Sequence, residues 1–126
     1  MASELRVNTL KDASGNNSVA TSTVAQGSAK AWIDYTTAAT YVDNDSFNVS
    51  SLDDGGTGLA TININADMAT ANYAVVHGTL GGLAGGTKVF QNGAKTKGAF
   101  SLYTTNKDGT PGDIGNTYAA VFGDLE

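Results

Sequence analysis

The stretch that most constrains the 126-residue chain is SFNVSSLDDGGTGLATINI, residues 46–64. After the Asp-Asp-Gly-Gly-Thr-Gly run, Ala60, Ile62 and Ile64 alternate with Leu59, Thr61 and Asn63. A period of two sends the two sets to opposite sides of a strand, one toward a core and one toward water. The glycines supply the positive-φ positions that a tight hairpin turn demands. The segment therefore predicts an antiparallel hairpin, with Phe47, Val49 and Ser51 sharing a face before the turn. A lone hairpin is marginal in water, so the rest of the chain must supply partner strands.

Several other segments read that way. Ala31, Ile33 and Tyr35 alternate with Trp32 and Asp34, which predicts a strand with aromatic bulk on both faces. NYAVVHG puts Tyr73, Val75 and His77 on one side and Ala74 and Val76 on the other. Shorter strands are expected around 88–91, 99–104 and 117–122, the last two separated by the turn NKDGTPGDIGN. The fold class that follows is all-β, a small antiparallel β-sandwich or jelly-roll-like domain of about six to eight strands.

Leu, Ile, Val and Phe make up only about a fifth of the chain, which borders on too little for a core. Charged residues are 15% and the net charge is -5, too low to drive disorder, so a thin-cored fold is the better reading. Partner chains often supply the missing burial at this size. Trp32, Tyr35, Phe47 and Tyr73 are accordingly candidates for core or subunit interface.

Residues 1–29 have a different character. Leu5 and Val7 alternate briefly with no helix signal, residues 12–17 form a turn cluster, and SVATSTVAQGSA is small, polar, uncharged and unable to bury enough surface to fold alone. The expected organisation is an extended N-terminal arm, residues 1–29, leading into a β domain, residues 30–126. Leu5, Val7 and Leu10 are the arm's candidate apolar contacts. The start lacks the apolar stretch of a secretory signal, and no run reaches the length of a membrane span, so membrane insertion is not expected.

Chemistry-bearing motifs are scarce. With no cysteine, thiolate metal sites and disulfides are out of reach. The acidic balance disfavours nucleic acid, whose phosphates need clustered Lys or Arg. His77 is the only histidine and lies in a strand pattern. The Asp43/Asp45 and Asp53/Asp54 pairs match no calcium loop and read as turn chemistry. GTLGGLAGG fits neither common phosphate-binding glycine pattern and reads as a surface loop. No catalytic residue, metal site or cofactor is expected. The candidate contact positions are Gly81, Gly82 and Leu83 in that loop, with Asp108 and Asp113 in the late turn.

The segments SELRVNTLKDASG, SVATSTVAQGSAKAWIDY and DSFNVSSLDDGGTGLATININADMATANYAVV, in that order, resemble a module of tailed bacteriophages. The likeness is to the small domain near the ends of tail fibres and to short virion proteins, especially of marine and cyanobacterial phages, and it covers residues 3–76. Trp32 matches that module's aromatic after Ala-Lys-Ala, Phe47 and Val49 its D-S-F-N-V-S strand, and Tyr73 its A-N-Y aromatic. The resemblance implies a trimeric, non-enzymatic virion protein of antiparallel β-structure displayed on the particle surface, and the arm, residues 1–29, is its expected attachment. Its implied partners are sister chains, other virion proteins and a host-surface receptor or glycan. Alternatives are a capsid or tail cement protein and, in another class, a glycan depolymerase. After His77 the pattern is unfamiliar, so the late loops carry no inherited role.

Overall fold

The computed structural model describes residues 3–80, 87–91, 93 and 95–126. The chain begins with a small hairpin, β1 (Thr9–Leu10) against β2 (Val19–Ala20), followed by helix α1 (Thr21–Gly27). The expected turn at 12–17 closes that hairpin. Asp12 accepts from the Ser14 and Asn16 backbone amides at 3.0 and 2.8 Å, and Gly15 and Asn17 take positive φ. The helix departs from the sequence reading. It buries no residue, has no side-chain cap at its start and no acid in its first turn, so nothing in the sequence announces it. Its other end is satisfied from outside, by the Lys30 ammonium bonding the Ala25 and Ser28 carbonyls.

The body consists of β3 (Ala31–Thr36), β4 (Val42–Phe47), β5 (Val49–Asp54), β6 (Leu59–Ile64), β7 (Ala74–Leu80), β8 (Thr87–Gln91), β9 (Ala99–Asn106) and β10 (Asn116–Phe122). They form two four-stranded antiparallel sheets, β4-β3-β10-β7 and β5-β6-β9-β8, facing each other as a sandwich. The all-β expectation holds. The strands expected around 88–91, 99–104 and 117–122 form within one or two residues of those limits.

Alternation decides the interior. Ala31, Ile33, Tyr35, Ala119 and Val121 from the first sheet meet Ala60, Ile62, Ile64, Phe100 and Leu102 from the second. Met68 and Tyr73 close one end, and Ile114 is buried at the other. Each large apolar side chain buried in this way contributes about 1.5–3 kcal/mol.

One expectation fails instructively. Phe47 and Val49 do not share a strand face, because the chain breaks at Asn48, whose φ is 56°. There it leaves the first sheet and enters the second. Asn48 supports the crossing by accepting from Ala66 N at 2.8 Å and donating to the Lys30 carbonyl at 2.9 Å. Asparagine tolerates the left-handed region and bonds nearby backbone, which suits it to this corner. Phe47 ends outside, 55% exposed.

Candidate functional site

Two ends and two outer faces of the sandwich are available for function. Strand β3 starts beside the end of β10, with Lys30 N donating to Val121 O at 2.7 Å, so the N-terminal segment joins at that pole. The loops after β3, β5 and β9 gather at the opposite pole. Six-residue strands separate the poles by about 20 Å.

At the loop pole Asp113 Oδ1 accepts from Gly58 N at 2.7 Å and from the Tyr41 hydroxyl at 3.2 Å. The same Tyr41 proton is shared with Gly56 O, at 2.7 Å the shorter of the two contacts. Partial burial, together with the Asp113 and Asp54 charges, pushes the Tyr41 phenol up. Thr37 and Ile114 exchange bonds nearby, with Ile114 N reaching Thr37 Oγ1 at 2.8 Å. Gly58 sits at φ 74° with its α-carbon so close to β9 that a Cβ would lie 2.4 Å from Thr104 O. This pole is stitched rather than loose. Asp113 spends one oxygen on the stitching, whereas Asp108 sits at the exposed tip of the turn after β9, paired with Lys107 at 2.6 Å. Gly81, Gly82 and Leu83 lie outside the described residues.

The four aromatic candidates separate into two pairs. Tyr35 and Tyr73 are buried. Tyr73 donates to Ala99 O at 2.8 Å, and burial pushes its phenol up to about 12. Tyr35 stands opposite Thr117, but neither hydroxyl makes a hydrogen bond of normal geometry, and burial pushes this phenol up as well. Trp32 and Phe47 point outward and face each other across β3 and β4.

That pair belongs to a larger apolar surface. Register places Phe47, Trp32, Ala120 and Val76 in one row across all four strands of the first sheet. The adjoining row is Asp45, Asp34, Tyr118 and Gly78. Trp32 is 38% exposed and Tyr118 46%. An open depression of about 390 Å³ lies among Trp32, Asp34, Val76, Tyr118 and Ala120. Gly78 is what lets the Tyr118 ring lie across β7, since a Cβ there would come within 2.7 Å of the ring.

The polar edge of the depression is ordered by a bulge. Register slips between Asp34 and Tyr35, which leaves Asn44 unpaired in β4. Asn44 and Asn116 donate their side-chain amides to the same Asp34 oxygen, at 3.3 and 3.2 Å. Sequence reading singled out Trp32 and Phe47 but not Asp34, Asn44, Val76 or Tyr118. The available signal was parity. Tyr118 and Ala120 alternate with Thr117, Ala119 and Val121 as Trp32 and Asp34 alternate with Ala31, Ile33 and Tyr35.

Leu5, Val7 and Leu10 are exposed, Leu5 by 80%, and residues 3–28 bury little besides parts of Val19 and Thr21. Among the described residues there is no trio of His, Cys, Asp or Glu placed to hold a metal, and no helix long and apolar enough to cross a membrane. Comparison with protein-family models, with curated proteins and with solved structures gives no match.

Proposed function

We propose that the chain is a non-enzymatic virion structural protein of a tailed bacteriophage, a short surface appendage mounted through residues 1–29 and assembled as a homotrimer. The observation that supports this reading best is the polarity of the sandwich. An N-terminal segment with unburied Leu5, Val7 and Leu10 joins one pole, and tightly braced loops occupy the other. Apolar side chains left in water cost free energy that a partner surface recovers. Mounting at one pole leaves the loops around Asp108 facing outward.

The experiment is deletion of residues 1–28. The truncated chain should keep its β-rich circular dichroism and cooperative melting, yet be missing from assembled particles and no longer trimeric. Normal incorporation of the truncated chain would reject the anchoring role. The cement-protein reading shares the anchor but gives the far pole no task. Under it, removing the tip at residues 107–109 leaves host adsorption unchanged, whereas the appendage reading expects adsorption to fall with assembly intact.

A further inference from the structure

We infer that the outer face of the β4-β3-β10-β7 sheet is a binding site for a neutral saccharide, seated in the depression between Trp32 and Tyr118 and hydrogen-bonded by Asp34. The apolar part of the site is built rather than incidental. Trp32, Tyr118 and Val76 surround a floor of Ala120, the one small residue in its row, while Gly78 makes room for the tyrosine ring. A pyranose ring carries apolar C–H faces and a polar girdle of hydroxyls. It suits a site where amphipathic aromatic walls adjoin fixed donors and acceptors.

The polar part is equally specific. Asn44 and Asn116 hold one Asp34 oxygen, which fixes the carboxylate. The other Asp34 oxygen and the Tyr118 hydroxyl make no hydrogen bond among the described residues. One is an acceptor on the β3 side of β10 and the other a hydroxyl carried toward β7, so they can meet different hydroxyl groups around one sugar ring. Asp45 stands directly opposite Asp34 on β4. Asp34 holds the two asparagine amides and Asp45 accepts from Ser46 N at 2.9 Å, yet like charges so placed repel in a sheet, so a ligand offering hydroxyl donors improves their environment.

Charge also narrows the occupant. Neither Asp34 nor Asp45 is paired with a cation among the described residues, so an anionic polymer is repelled. A second copy presenting the same face would set four aspartates against one another. The site stands on this face alone and does not depend on how the chain is mounted. Particle incorporation can fail while saccharide binding holds, and the reverse.

Trp32 is the chain's only tryptophan, so its emission reports on the depression directly. The full chain is titrated with neutral tetrasaccharides of glucose, mannose, galactose and N-acetylglucosamine at millimolar concentrations, with tetramethylammonium and polygalacturonate in parallel. The expected result is a saturable emission change with at least one neutral sugar and none with the anionic polymer. Asp34→Asn should weaken that response roughly tenfold or more, as expected on losing a charged hydrogen-bond acceptor. Gly78→Ala, which shifts the tyrosine ring without removing a ligand group, should weaken it too, and Thr61→Ala on the opposite face should leave it unchanged. Circular dichroism of each variant verifies the fold. No response to any of the four sugars overturns the inference. So does a response to tetramethylammonium as strong as to sugar, which makes this a cation site. A protein-concentration-dependent change without ligand overturns it as well, by making the face a contact between copies.

Discussion

The two outer faces of the sandwich differ more than its two halves differ inside. On the β5-β6-β9-β8 side the outward positions include Ser51, Asp53, Thr61, Asn63 and Ser101, which bond one another, with the half-buried Leu59 and Tyr103 paired beyond them. Thr61 and Ser101 hydroxyls meet at 2.8 Å, and Asn63 donates to Asp53 at 2.7 Å and to Ser51 at 2.8 Å. On the other side, Phe47, Trp32, Val76 and Tyr118 meet water. A sandwich needs only its inner faces to be apolar, and the polar face shows what this chain does where nothing else is asked of it. The apolar face adds little to the stability of the single chain, which is what leaves it available for the saccharide contact inferred above.

Alkali should erase the contrast between the faces altogether, with the largest effect. Folding holds the Tyr35, Tyr41 and Tyr73 phenols above the ordinary value of 10.0, so each raised group stabilises fully below that pH. That stability is lost as pH rises past 10.0 and through about 12 for Tyr73. Thermal melting followed by circular dichroism should be flat from neutral to about pH 9 and fall steeply beyond. A flat profile up to pH 12 would show that the buried hydroxyls are not linked to folding.

Next in size is damage to what the two sheets share. Leu102→Ala opens the common interior and should cost about 2–5 kcal/mol in urea unfolding. Asn48→Ala breaks the corner where the chain passes between sheets and should cost about 2–3 kcal/mol, from lost hydrogen bonds plus a positive φ. Asn48→Gly restores the backbone freedom and should recover part of that loss.

The faces themselves should respond least, and unequally. Thr61→Ala removes a cross-strand hydrogen bond and should cost about 0.5–1.5 kcal/mol. Val76→Ser and Phe47→Ser, on exposed positions of the apolar side, should stay within about 0.5 kcal/mol of the parent. A loss as large as that of Leu102→Ala at either site would mean that the apolar face is packed after all.

Much of the interior was legible because alternation is local. Ile62 and Ile64, or Ile33 and Tyr35, declare their side through neighbours two residues away. Asn48 was not legible, since SFNVSSLDD continues its strand-like composition across the break and only the left-handed φ separates Phe47 from Val49. The apolar face was half legible. Strands β3, β7 and β10 show bulk on both sides, but which side faces the other sheet depends on register, which pairs Trp32 with Ala120 over a separation of 88 residues. Asp34 was hidden for the same reason, because Asn44 and Asn116 reach it from different strands. Helix α1 had no signal to read, as it lacks a buried face, a side-chain cap and a charged first turn.

The central claim is that the Trp32 face stays open when the chain assembles through its N-terminal segment. Acrylamide quenching of the single tryptophan, with the native mass measured on the same sample, tests it directly. The account predicts a three-chain particle in which Trp32 is quenched as readily as in the chain lacking residues 1–28. Strong protection of Trp32 in the assembled form, relieved in the truncated one, would contradict it and make the apolar face the subunit interface.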